Sequence, residues 1–300
     1  MDLILGANQY GKAQVRMVAV DRSTPVHSFV DLNVGITLSG NLEDVHRVGS
    51  NANVVPTDTQ KNTVFAFARE TPVGEIEEFG LRLARHFVSS FEPITRARVN
   101  IESSGWSRIP VHGEPHPHGF VASGPELRVA EVIVDREQGT WVLSGLKDLI
   151  VLKTSGSEFS GYIKDDYTTL QETDERILST AVAARWRHGA LLRPPGEWDA
   201  SFAVAREKML QTFAAHHSLS LQQTLFEMAG AAVAASPGLV EVRMSMPNRH
   251  HFVVDLERFG LDNPNLIYRV EDRPYGLIEA QILVPGAPDA GPAWESYPLL

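Results

Sequence analysis

The chain has 300 residues, 43% of them hydrophobic, enough for one large or two medium domains with a full core. A formal charge of −10 argues against nucleic acid as the main partner, because phosphate binding needs a basic footprint. There is no cysteine, which excludes disulfides, thiolate catalysis and cysteine-ligated zinc, and no apolar run approaches membrane-spanning length. Met1-Asp2-Leu3-Ile4-Leu5-Gly6 does not read as a signal peptide, nor Pro298-Leu299-Leu300 as a peroxisomal tripeptide, so a cytoplasmic protein is expected.

Gly6-Ala7-Asn8-Gln9-Tyr10-Gly11-Lys12 fits the first seven positions of a phosphate-binding loop, G-x-x-x-x-G-K. Two features reject that reading. Ala13 stands where Ser or Thr must hold magnesium, and Gln14 to Val20 alternates like a strand where a helix is required. Spacing alone makes Lys12 a solvated lysine at a strand start. Long antiparallel strands are predicted over Gln14–Arg22 and Phe29–Ser39, then a helical turn over Asn41–Arg47.

Val54-Val55-Pro56 is extended, and Thr57-Asp58-Thr59-Gln60 has the pattern of a capping box, with Thr57 at the N-cap and Gln60 three residues on. A short amphipathic helix is expected from there. Its exposed amides and positive dipole end suit an anion, although Thr57 taken singly reads as a cap and nothing more. Ile76, Phe79, Leu83 and Phe87 define a second helix over Glu75–Phe91. Strands are predicted at Arg96–Ser103, Gly119–Ala122, Glu126–Asp135 and Thr140–Leu146. The proline-rich stretch Trp106–Gly119 between them reads as a loop, with His112, His116 and His118 as solvated histidines rather than metal ligands.

The second half follows a similar plan, with strands at Ile150–Thr154 and Glu158–Ile163. Thr168 and Gln171 repeat the offset of Thr57 and Gln60, which predicts a helix opening at Tyr167 and running through Asp174–Ser179. A strand at Ala181–Arg187, helices at Phe202–Ala215 and Ser220–Ala235, and strands at Val240–Met246, His251–Leu256, Leu266–Val270 and Gly276–Val284 complete it. Two like halves suggest an internal duplication with its boundary near Asp135–Ser144, giving units 1–138 and 139–285 and a Pro/Gly/Ala-rich tail, 286–300.

Several residues carry chemistry. Phe159 lies in the glycine-flanked Gly156-Ser157-Glu158-Phe159-Ser160-Gly161, open to a planar ligand, though a lone Phe is commonly core. Arg176 offers a planar fork for an anion; the spacing favours instead an exposed helix arginine paired with a neighbouring acid. Gln222, at a helix start after Ser220 and Leu221, matches the donor–acceptor edge of a purine or is a surface residue. In Pro247-Asn248-Arg249-His250-His251, side chains that hairpins seldom use crowd a strand junction, so Asn248 and His250 read as functional or as a structural turn.

Taken together, NQYGKAQVR from Asn8, VVPTDTQKNTVFAFARE from Val54, VLKTSGSEFSGY and DDYTTLQETDERILST between Val151 and Thr180, SLQQTLFEM from Ser220, MPNRHHFVVDLERFG from Met246 and DRPYGLIEA from Asp272 resemble the urate oxidase (uricase) family. Those enzymes oxidise urate with dioxygen and no cofactor. The resemblance runs from residue 8 to about 280. It implies an α+β fold of two tandem tunnelling-fold (T-fold) units per chain, antiparallel sheet with paired helices, assembled as a homotetrameric barrel. It implies Lys12, Thr57 and His250 as the proton-handling set. Thr57, Asp58, Phe159, Arg176, Leu221, Gln222 and Asn248 would form the substrate pocket. Lys12, Thr57 and Asp58 would come from one subunit and the rest from its neighbour. Leu221 stands where related enzymes often have valine, and Arg249 where lysine is common. No metal and no cofactor are implied, and the partners are urate, dioxygen and further copies of the chain, with neither nucleic acid nor membrane. Two other classes remain in view: a zinc-dependent pterin-type enzyme on the same fold, and a non-catalytic purine-binding protein.

Overall fold

The computed structural model describes residues 3–189, 191 and 194–295; Met1, Asp2 and the final Pro298-Leu299-Leu300 lie outside them. It is a mixed α/β protein of antiparallel sheet with few helices, in two compact units. The first is Met1–Gly145 with Arg187–Asp199 and Pro288–Leu300; the second is Leu146–Trp186 with Ala200–Ala287.

In the first unit, β1 (Tyr10–Asp21), β2 (Ser28–Gly40), β3 (Ile94–Val111) and β4 (Glu114–Asp135) pair antiparallel in that order. Alternation decides the buried face: Leu32, Val34, Ile36 and Leu38 of β2 are each no more than 2% exposed, with Ala97, Val99 and Ile101 of β3 beside them. Three helices, α1 (Glu43–Arg47), α2 (Thr57–Glu70) and α3 (Ile76–Ser90), fill the β2–β3 connection. The stripe Ile76, Phe79, Leu83 and Phe87 of α3 is buried in the same core. Each such ring is worth about 3–5 kcal/mol against alanine. Gly80 permits this packing, because a Cβ there would lie 2.8 Å from Val132 Cγ2.

In the second unit, the end of β5 (Gly139–Lys153) neighbours β6 (Leu178–His188), then β7 (Leu239–Pro247) and β10 (Leu277–Leu283). Trp186 is fully buried and packs with Met209 and Phe213 of α4 (Glu197–Ala215) and Leu225 and Met228 of α5 (Leu221–Ala235). A separate ribbon is made by β8 (His250–Val253) and β9 (Tyr268–Glu271).

Several expectations need correction. Helix α2 begins at Thr57 itself; its N-cap is Pro56, and no side chain bonds the cap. Gln60 is buried and donates to Val55 O at 3.1 Å instead of closing a capping box. The loop expected over Trp106–Gly119 is a hairpin, in which β3 and β4 continue to a tight turn with His112 and Gly113 at positive φ. No separate strand starts at Gly119.

The strand expected over Glu158–Ile163 is absent, and so is the helix expected from Tyr167 through Ser179. The polar side chains there serve the local backbone: Thr168 Oγ1 donates to Asp165, and Thr173 Oγ1 to Glu175 O. Short hydroxyl and carboxylate side chains compete with the helix in this way. At the far end, where composition suggested a tail, Gly291–Trp294 forms a 3-10 turn with Ala293 buried beside Ile133 and Leu143.

Candidate active site

In the first unit the candidate residues stand on β1 and at the start of α2. With Pro56 as cap, the Thr57 hydroxyl is not consumed by the helix end. Thr57 and Asp58 are exposed. Asp58 accepts from Lys61 Nζ at 2.5 Å and Asn62 Nδ2 at 2.9 Å. The Lys61 ammonium holds its carboxyl below the ordinary range, with a smaller contribution from the charge of Lys12. The Tyr10 hydroxyl, on the same strand as Lys12, bonds Val55 just before α2 and so ties that strand to the helix start. Lys12 is half-buried and lies opposite Ile36 in the β1–β2 ladder.

The second unit brings Phe159 and Arg176 together through an irregular segment. Ser157 to Phe159 is bonded on both sides: Glu158 N donates to Ser218 O and Ser218 N to Gly156 O, while Phe159 and Thr173 exchange a pair of backbone bonds at 2.8 and 3.1 Å. Glycines at 156 and 161 take positive φ (+72° and +71°), which lets the chain enter and leave this short bridge. Arg176 then returns its backbone N–H to Ser157 O at 2.8 Å and its Nε to Ser157 Oγ at 3.2 Å. Its guanidinium carbon sits 5.2 Å from the centre of the Phe159 ring. Arg176 is therefore neither helical nor an exposed partner of a neighbouring acid. Burial lowers its pKa from the ordinary arginine value, and the guanidinium stays charged.

At the end of β7, Asn248 N donates to Gly276 O and Arg249 N to Ser179 O, which fixes the junction into β8. The Asn248 Nδ2 amide lies 3.4 Å from His250 Nδ1, and the His250 ring stacks on Phe252 at 5.6 Å. Burial is the main cause that lowers the His250 pKa; the charge of Arg176 adds to it and Glu271 opposes it. Arg176 and His250 thus share one electrostatic environment.

Leu221 and Gln222 open α5. Ser220 caps this helix by accepting from Gln223 N at 3.2 Å, and Gln223 Oε1 accepts from Leu219 N at 3.1 Å. Leu221 is buried and Gln222 exposed. Sequence reasoning missed Ser157, which orients Arg176, and Tyr10, whose hydroxyl bonds Val55. The signals were slight, a serine directly after Gly156 and an aromatic two positions before Lys12.

A guanidinium over an aromatic ring on an irregular segment, with an amide and an imidazole at a strand junction of the antiparallel sheet, defines a mixed α/β protein suited to a flat, anionic small molecule. A family model described as Uricase matches residues 8–133 and 142–279. The uricase of Arthrobacter globiformis is 46% identical over 294 residues, 98% of this chain and 94% of that one. That of Aspergillus flavus is 36% identical over 288 residues, 92% and 95% of the two chains. The crystal structure of the Arthrobacter globiformis uricase aligns with a TM-score of 0.92 over 98% of this chain and 99% of that one. A uricase from Bacillus fastidious, 22% identical with a TM-score of 0.80 over 93% and 94% of the two chains, shares the fold. The chain belongs to the uricase family.

Proposed function

We propose that this chain is a urate oxidase converting urate, dioxygen and water to 5-hydroxyisourate and hydrogen peroxide. Family membership carries the activity. The observation in this chain that best supports it is the Phe159–Arg176 pair, whose ring and planar cation are locked to one backbone bridge through Ser157. Arg176 would compensate the charge of the urate anion in a bidentate manner, with Gln222 matching its polar edge. Phe159 would stack on the purine face. Tyr162 now lies parallel to that ring at 5.0 Å and is the group a flat ligand would displace from it. Leu221 and Asp58 would complete the pocket.

Lys12 and Thr57 would take a further proton from urate, the amine acting as base while transiently neutral, with His250 completing the relay. Its lowered pKa keeps His250 neutral, able to accept a proton, through the neutral range. The electron-rich urate then reduces dioxygen directly, without a cofactor. Asn248 and Thr57 would hold dioxygen and the hydroperoxide, then place the water that replaces it. Donors preorganised in this way are worth about 3 kcal/mol each.

We further propose that the two units are tandem T-folds and that four chains close a barrel. Lys12, Thr57 and Asp58 of one subunit would there face Phe159, Arg176, Leu221, Gln222, Asn248 and His250 of its neighbour. A cytoplasmic location belongs to the same proposal. The pterin-type and non-catalytic readings receive no support from the relatives. Oxygen uptake and peroxide release with urate, in chelator-treated and flavin-free buffer, test the activity. No turnover there sinks cofactor independence, and a fully active monomer sinks the shared site.

A further inference from the structure

Strand β1 carries two phases. Lys12 lies opposite Ile36 and Val15 opposite Val34, so Ala13 and Gln14 together face the single residue Gly35. This is a β-bulge, with Gln14 in the left-handed region at φ +56°. In a regular strand the spacing of Lys12 and Val15 would send them to opposite faces. The bulge lets Val15 and Met17 fill the core while Tyr10 and Lys12 share that same face, opposite the buried Leu38 and Ile36.

On that face Tyr10 does more than fill space. Its hydroxyl accepts from Val55 N at 2.8 Å and donates to Val55 O at 3.1 Å. Gln60 Nε2 gives Val55 O a second donor at 3.1 Å. Burial raises the phenol pKa above its ordinary value, so the hydroxyl keeps the proton it needs to donate and accept at once. The clamp joins two short stretches of chain. Tyr10 is two residues before Lys12, and Val55 is two residues before Thr57. A phenylalanine would bury the same ring, so core packing does not account for the reciprocal bonds.

We propose that Tyr10 is a positioning residue, holding the strand of Lys12 against the helix start of Thr57 so that amine and hydroxyl stay within proton-transfer reach. The inference rests on the reading of Lys12 and Thr57 as the proton-handling pair. Misplacement of reacting groups by about 1 Å costs on the order of a hundredfold in rate. Tyr10→Phe is therefore expected to lower kcat by about tenfold, leaving KM and the affinity for 8-azaxanthine, a urate analogue, within about twofold.

The deciding measurement is a cycle of kcat with Lys12→Met, at protein fully folded by thermal unfolding. Tyr10→Phe should have no further effect in the Lys12→Met background, because its role passes through the lysine. Gln60→Leu, which removes the second donor to Val55 O, should lower kcat in the same sense by a smaller factor and serves if Tyr10→Phe does not fold. Unchanged kcat in the folded variants, with only the melting temperature reduced, overturns the proposal; so does a Tyr10→Phe loss that persists with Met at position 12. Wild-type turnover by both Lys12→Met and Thr57→Ala would instead overturn the underlying catalytic assignment, whatever Tyr10→Phe does.

Discussion

The Lys12–Thr57 region of the first unit and the Phe159–Arg176 region of the second hold their functional side chains by opposite means. Lys12 and Thr57 stand on a strand and a helix whose position follows from core packing, and the corrections there are local: a bulge, a proline cap, a phenol bonded to one residue. Phe159 and Arg176 stand on a segment with no helix and no strand, held by backbone bonds to Ser218 and Thr173 and by one serine hydroxyl. A group that moves a proton needs a fixed distance, which stiff elements supply. A group that clasps a ligand needs a shaped opening, which an irregular segment pinned by hydrogen bonds supplies.

The contrast can be broken from either side. Lys12→Met removes the base and should lower kcat by about 10²–10⁴-fold, with 8-azaxanthine still binding in calorimetry. Equal losses of turnover and analogue binding would erase the division of labour. Arg176→Ala should act in the opposite sense, raising KM for urate by about 10–100-fold, the worth of about 1.5–3 kcal/mol for a charged hydrogen bond, with kcat changed less. Gly80→Ala forces a methyl toward Val132 and should cost about 1–3 kcal/mol of stability by thermal unfolding, with KM untouched.

Smaller effects sharpen the comparison. Ser157→Ala removes the hydroxyl that takes Arg176 Nε but leaves the guanidinium itself, and should raise KM by about 2–10-fold, the worth of about 0.5–1.5 kcal/mol for a typical hydrogen bond, with kcat preserved. The smallest is a pH effect. Burial lowers the His250 pKa in the folded chain, so the unfolded chain binds the proton more readily. Its contribution to stability is complete above the unfolded value, about 6.5, and is lost as pH falls from there through the lower folded value. Comparing His250→Asn with the parent chain by melting temperature at pH 7.5 and 5.5 should show the mutant losing less on acidification.

The legible parts of the sequence were those where a period of two or of 3.6 meets a buried face. The β2 alternation, the Phe79–Phe87 stripe of α3 and the Ser220 start of α5 all fall where composition placed them, because burial rewards a repeating pattern wherever it occurs. The same logic failed at Tyr167–Ser179, where Thr168 and Gln171 copied the Thr57–Gln60 offset without an apolar stripe behind them. It failed too over Trp106–Gly119, whose prolines and histidines mask a hairpin that only pairing between β3 and β4 defines.

The sequence alone carried the family, through motifs running nearly its whole length, and with the family the expected chemistry of Lys12, Thr57, Arg176 and Gln222. Tertiary structure decided how those groups are held: which face of β1 Lys12 occupies, that Pro56 leaves the Thr57 hydroxyl uncommitted, and that Ser157 fixes Arg176 over Phe159. Residue identity is local information, whereas a bulge phase, an unused cap and a bond spanning 19 or 45 residues exist only once distant segments have packed.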